Sequence, residues 1–316
     1  MIQLVAIVSS CNRAPLLAQA LASLAEYLPR QHLESALVVF DAGSTDGSRE
    51  VIRAAQEKAA IPIHLVDGAA DNSFAAGVNA ATKFALEKYP STKYLLLFET
   101  DNVLRSAEPL QEATELLERR RTLAAIGFTA RKHDGSRSGF GCPFPTWLQF
   151  VMGPQLTALL LLDRPMLRWR KDSKTKWAEC DAVYTSPILI RREAWEQSSG
   201  FDAQNFPFSD CDLDWSWRLE KAGLKEAILE TDDVIHDNQS VLSKWSATRA
   251  LYFHRARLKL LRRHRSRLGG WPLPLLLLRH LLECLALACQ FSSGKQYCAQ
   301  LQTRWRLLRG AISNYR

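Results

Sequence analysis

The sequence predicts an α/β fold: a doubly wound, mostly parallel sheet followed by a C-terminal helical, basic, amphipathic extension. Apolar runs of strand length alternate with segments whose apolar residues recur at helical spacing. A polar loop closes each run, at the strand ends where such sheets bind ligands. Past residue 245 the charge balance inverts. Residues 246–316 carry 14 Lys and Arg against the single acid Glu283, whereas residues 1–245 carry 27 against 32. Two domains are expected, 1–240 and 241–316.

Gln3 to Ser9 is a buried-strand run, followed by Asn12-Arg13-Ala14-Pro15 and then Leu16, Leu17, Ala20, Leu21 and Leu24 on one helical face. Ala36 to Phe40 repeats the pattern, with a Gly/Ser/Asp loop from Asp41 to Ser48 and a helix from Arg49 to Ala59. Ile63 to Val66 is a third strand, leading through Asp67 to Asn72 into a helix from Phe74 to Tyr89. Lys93 to Phe98 is a fourth and stops at Glu99-Thr100-Asp101. Beyond Arg131 the pattern loosens, and the apolar stretch Trp147 to Leu162 reads as broken at Gly153-Pro154. Alternation returns from Ala182 to Ile190, a helix is expected over Cys211 to Ala222, and Ala227 to Ile235 is strand-like.

The 316 residues, 47% hydrophobic and 23% charged, provide ample core and exclude a disordered class. Seven scattered cysteines without CxxC spacing exclude a zinc ribbon and a dense disulfide framework, so reduced thiols in the cytoplasm are expected. The N-terminus lacks a basic leader and a small-residue cleavage site and reads as a first strand, so no export is expected. Trp271 to Cys289 is Leu-rich but carries Arg279, His280 and Glu283, short of the roughly 18 to 20 uninterrupted apolar residues of a spanning helix.

Three constellations carry chemistry. In Asp41 to Ser48 the glycines permit a tight turn, Ser44 and Asp46 suit a helix cap, and Asp41 suits a base or ribose contact; the plainer reading is a decorated strand–helix turn. Glu99-Thr100-Asp101 sets two carboxylates just past a strand, where they can share Mg²⁺ or Mn²⁺ with a diphosphate, or merely end the strand. Asp210, Asp212 and Asp214 crowd one helix N-terminus, where the dipole favours them as caps and where one could act as a general base. His236 suits a metal or phosphate ligand, or a structural role.

In this order the segments resemble inverting family 2 glycosyltransferases with the GT-A fold, of the bacterial surface-polysaccharide type. The resemblance rests on Ser9 to Arg13, on Asp41 to Ser48 with Ala42 where the family has Asn, and on Asn72 to Asn79. It rests also on Glu99-Thr100-Asp101 as the Asp-x-Asp-like metal motif, and on Gly200-Phe201-Asp202 followed by Cys211 to Gly223. It implies a hexosyltransferase or deoxyhexosyltransferase using a UDP-, GDP- or TDP-linked sugar. Asn12, Arg13, Asp41, Ser44, Asp46, Asn72, Asn79 and Glu99 would meet the donor, and Asp101, Glu99 and His236 the metal. Asp212 would be the base, with Asp210 and Asp214 as neighbours able to exchange roles. Glu99 in place of Asp or Asn, and Cys211 in place of Glu, depart from the pattern and leave a catalytically silent, GT-A-like glycan- or partner-binding scaffold as the alternative.

The basic tail interleaves Arg and Lys with Leu and resembles no nucleic-acid-reading module. Amphipathic helices on an anionic leaflet, each basic residue contributing about 1 kcal/mol, account for both charge and leucines. The expectation is a peripheral enzyme at the inner face of the cytoplasmic membrane, acting on a glycan or lipid-linked acceptor. A helical extension that only packs on the catalytic domain or forms a dimer is the plainer alternative.

Overall fold

A computed structural model describes residues 1–68, 73–138, 141–160, 167–172, 174–184, 187–236, 247–268, 272–289 and a few positions between 301 and 309. They form two compact units. The first comprises 1–143, 165–207 and 211–240; the second comprises 144–164, 208–210 and 241–316.

The first unit opens with three strand–helix repeats: β1 (Leu4–Ser10) and α1 (Ala14–Tyr27), β2 (Ser35–Asp41) and α2 (Ser48–Lys58), β3 (Ile63–Asp67) and α3 (Phe74–Lys88). β4 (Tyr94–Leu97) then pairs with β1 on the side away from β2, giving a parallel order β3-β2-β1-β4. β1 and β2 are apolar almost throughout because both sheet faces are covered. Leu4, Ala6, Val8, Leu37 and Val39 join the core with Leu17, Leu21 and Leu24 of α1. On the other face Ser9 and its register partner Phe40 lie under Gly77 of α3.

After β4 come β5 (Asn102–Leu104), α4 (Glu108–Arg119) and β6 (Leu123–Phe128), elements that sequence patterning does not separate. Further along lie β7 (Ala130–Arg131), β8 (Arg137–Ser138), β9 (Arg170–Asp172), β10 (Thr175–Cys180) and β11 (Ile188–Arg191). α6 (Arg192–Ser198), α7 (Cys211–Lys221), β12 (Lys225–Leu229) and β13 (Val234–His236) complete the unit. Among the described residues the main sheet has nine strands, with β11 antiparallel between β4 and β6 and β12 parallel to β6. A four-stranded sheet, β5-β13-β7-β8, lies beside it. The strand-like stretch Ala227 to Ile235 is thus two strands in two sheets, separated at Thr231, whose backbone N–H and C=O both bond the Thr129 hydroxyl.

In the second unit α5 (Trp147–Leu159) is one helix that runs through Gly153-Pro154, where the apolar stretch is interrupted. It is joined by α8 (Ala247–Arg263), α9 (Arg265–Leu268) and α10 (Pro272–Cys289). Arg279 of α10 donates to the Val151 carbonyl at 2.9 Å, and the Arg257 guanidinium lies over the rings of Phe150 and Phe253. Among the described residues no helix is long and apolar enough to cross a membrane.

Gly77 sets the approach of α3 to the sheet. A Cβ there would stand 2.7 Å from the Phe40 ring and 2.8 Å from Ser9 Oγ. Gly77→Ala should destabilise the protein by about 1–3 kcal/mol by overpacking, more than the gain of about 1 kcal/mol in helix propensity, as read from urea unfolding midpoints.

Candidate active site

Sheet order reverses between β1 and β4, and ligands of open α/β sheets bind outside the strand ends at that point. The residues that leave the two strands meet there. Arg13, after β1, donates from Nη1 to Thr100 Oγ1 at 3.3 Å and stands 3.8 Å from Asp101 Oδ2, both after β4. Asp101 is 7% exposed, and its Oδ1 is buried with no hydrogen-bond partner among the described residues. His236 on β13 is register partner to Asn102 on β5. Its Nδ1 lies 3.0 Å from Asn102 Oδ1 and 3.6 Å from Asp101 Oδ1. Glu99 is half-buried, and its carbonyl accepts the Asn102 N–H that turns the chain into β5.

Several polar residues expected to face a donor also lace the neighbouring loops together. Asn12, held at φ 51°, donates its N–H to Ser44 Oγ and accepts from the Thr45 N–H through Oδ1. Asp46 accepts from the Ala14 N–H at the start of α1 and from the N–H and hydroxyl of Ser48; the bond from Ala14 contributes most to holding its carboxyl below the usual range. Asp41 is fully buried, accepting from the Ser44 N–H and from Arg49 Nε at 2.9 Å, while Arg49 Nη2 reaches Asp67 at 2.8 Å. Asn79 is spent on Phe201, accepting its N–H and donating to its carbonyl. Asn72 lies outside the described residues.

The three acids around the start of α7 have different surroundings. Asp214 is fully buried against Arg218 at 3.0 Å, and the same guanidinium bonds the carbonyls of Ser198 and Gly200. Asp210, at φ 58°, pairs with Arg257 of α8 at 2.9 Å; burial raises its pKa against the pull of that charge. Asp212 keeps partial exposure, and its Oδ1 accepts the Leu213 N–H.

The sequence profile described as glycosyl transferase family 2 matches residues 5–166, just over half of the chain and the whole β1–β4 region. The chain belongs to that family. No curated protein matches it at the sequence level. This glycosyltransferase is similar in fold to the mannosyltransferase PcManGT from Pyrobaculum calidifontis, solved with GDP-Man and Mn2+ (TM-score 0.55, 16% identity, 99% of this chain and 87% of that one). It is similar also to GalNAc-T7, solved with UDP, GalNAc and Mn2+ (0.56, 12%, 84% and 51%), and to S. aureus TarS 1-349 (0.50, 11%, 99% and 92%). The family assignment and the fold agree on a GT-A glycosyltransferase.

Among the described residues no group of three or more His, Cys, Asp or Glu side chains is arranged to hold a metal ion alone. The chemistry around Asp101 nevertheless fits one. A hard cation such as Mg²⁺ is usually held by one or two carboxylates plus substrate phosphates, and the orphaned Asp101 Oδ1 offers such an oxygen next to an imidazole.

Sequence reasoning missed Glu226. It lies on β12 beneath α7, 1% exposed, and neither carboxyl oxygen has a partner at full hydrogen-bond geometry, although the Ser216 hydroxyl and the Val183 N–H approach. Burial, reinforced by the charges of Asp212 and Asp181, pushes its pKa up to about 8. The only signal in the sequence was an acid inside an apolar strand, Lys225 to Leu229. A carboxyl whose folded pKa exceeds its unfolded value near 4.3 holds a proton that the unfolded chain releases, so its burial penalty is absent below about pH 4 and grows until about pH 8. Glu226→Gln should therefore raise stability by a few kcal/mol at pH 8 and change it little at pH 4.5, as read from denaturation midpoints at the two pH values.

Proposed function

We propose that the chain is an inverting, metal-dependent hexosyl- or deoxyhexosyltransferase that moves a sugar from a UDP-, GDP- or TDP-linked donor to a hydroxyl of a glycan or lipid-linked acceptor. The observation that carries this reading is the convergence of Arg13, Thr100 and Asp101 at the switch point, with one buried carboxylate oxygen left unpartnered. The GDP-Man and Mn2+ bound by PcManGT, and the UDP, GalNAc and Mn2+ bound by GalNAc-T7, support it.

Arg13 is half-buried, and its guanidinium fork suits the oxygens of a diphosphate. Asp101, with Glu99 and His236, would hold Mg²⁺ or Mn²⁺, which supplies charge neutralisation for the departing diphosphate. Donation from His236 Nδ1 to Asn102 leaves the ring's lone pair on Nε2, the atom suited to a metal. Asp212, at the positive end of α7, takes the acceptor's hydroxyl proton as that oxygen bonds to the anomeric carbon. The bond from that carbon to the diphosphate oxygen breaks, and attack from the opposite face inverts the configuration.

Donor turnover with Mg²⁺ or Mn²⁺ across UDP-, GDP- and TDP-sugars tests the reading. Asp212→Asn should lower kcat by about 10²–10⁴-fold with donor affinity retained, and Asp101→Ala should remove metal-dependent donor binding. A protein that binds no donor, unaltered by Asp101→Ala, is the silent scaffold instead.

The second unit supports an acceptor at an anionic membrane, the inner cytoplasmic leaflet, as in assembly of a surface polysaccharide. α10 buries Leu276, His280 and Cys284 and exposes Leu275, Leu278, Leu281, Leu282 and Leu285 on its other side. α8 exposes Arg255, Lys259, Arg262 and Arg263. An apolar stripe accompanied by basic side chains is the pattern of a helix lying in the interface. The protein should float with anionic vesicles, weakly with neutral ones, and Leu278→Glu/Leu282→Glu should lower vesicle binding at least tenfold while leaving the far-ultraviolet circular dichroism unchanged. Equal flotation of both forms would remove the membrane role.

A further inference from the structure

We infer that Glu226 is a positioning residue: a buried carboxylic acid that acts through Ser216 to set the first turn of α7 and the proton-accepting carboxylate of Asp212. The inference rests on the reading of Asp212 as the base.

The geometry runs from the sheet into the helix. Glu226 sits on β12, on which α7 packs, and Ser216, 1% exposed, lies on the side of α7 that meets it. The Ser216 hydroxyl donates to the Asp212 carbonyl at 2.9 Å. With its only proton committed, that hydroxyl can serve Glu226 only as an acceptor, so the arrangement is complete when Glu226 carries a proton to donate. An ionised Glu226 would compete for the Ser216 proton, freeing the Asp212 carbonyl, and would set a second negative charge beside the Asp212 carboxylate.

Burial and the charged groups facing Glu226 disfavour that charge, and they outweigh the Ser216 hydroxyl and the Val183 N–H, which favour it. α7 contributes Asp212 and Ser216, and β10 contributes Cys180, the register partner of Glu226, whose thiol burial pushes up. The turn after β10 contributes Asp181 and the Val183 N–H, while the neighbour on β6 is Ala125. None is cationic. Protonation is then the way this buried oxygen pair avoids an uncompensated charge, and the proton is at once the donor that Ser216 lacks.

pH–rate profiles of the full chain test the assignment. The wild type should lose kcat as pH rises through about 8. Glu226→Gln, permanently neutral and able to donate from its amide, should keep kcat at pH 7 within about twofold and shift that alkaline limb upward by a unit or more. Glu226→Ala and Ser216→Ala should lower kcat at pH 7 at least tenfold with donor affinity unchanged. An unshifted limb in Glu226→Gln, or wild-type kcat in Ser216→Ala, overturns the inference. Infrared spectroscopy separates this failure from failure of the functional reading. A protonated carboxyl band at pH 7 that is present in wild type and lost in Glu226→Gln is expected whether or not a donor turns over, and its absence overturns the inference alone. If the band is present but no donor is turned over, the transferase reading falls, and the positioning role falls with it.

Discussion

A carboxylate taken out of water must be matched by a positive charge, by hydrogen-bond donors or by a proton, since an uncompensated charge costs several kcal/mol. That constraint sorts the acids of this chain. Asp41 is matched by Arg49 and the Ser44 N–H, Asp214 by Arg218, and Asp210 by Arg257 between two aromatic rings. Glu226 is matched by its own proton. Asp101 retains an oxygen that nothing in the described chain satisfies, and Asp212 retains access to solvent.

The parallel sheet creates the demand that these pairs meet. Register aligns Ser10 with Asp41 and Asp41 with Asp67, so adjacent strands end in step and bring two carboxylates side by side. Arg49 bridges them, and without it the buried Asp41 would be left uncompensated, a loss of about 3–5 kcal/mol. The exposed Arg49–Asp67 half of the bridge contributes under about 1 kcal/mol, because solvent screens it. The same stepwise ending carries Arg13 and Asp101 to the switch point, so the arrangement that costs electrostatic energy at Asp41 also assembles the candidate site.

The four parallel strands were legible because burial on both faces writes them as continuous apolar runs. The short β5 and β13 were not, since three residues carry no period and their pairing joins positions 130 to 134 residues apart. Polar loop residues were legible as important, but the bonds they make from loop to loop were not. Asn12, Ser44, Asp46 and Asn79 offer the donors and acceptors that a sugar nucleotide would use, and the backbone N–H groups of Thr45, Asn12, Ala14 and Phe201 also bond them. Glu226 escaped notice because a single acid in a strand reads as an outward-facing residue until the helix above it is in place.

The two halves of the family-like segment between Gly200 and Gly223 depend on one another for a reason the contacts supply. Ser199 and Gly200 both have positive φ, and a Cβ on Gly200 would stand 2.9 Å from Asn79 Oδ1 and from the Trp195 ring. That turn is held on one side by Asn79 and on the other by Arg218, which Asp214 in turn holds. Asp212 stands two residues before Asp214 on the same helix, so Asp212 inherits its position from a turn twelve residues upstream. Cys211 then has a physical reading. At 3% exposure a glutamate there would need its own counter-charge, whereas a thiol needs none. The substitution therefore removes an acid from the start of α7 without leaving a charge unmatched, and Asp212 keeps the supports it has from Ser216 and from the Asp214–Arg218 pair.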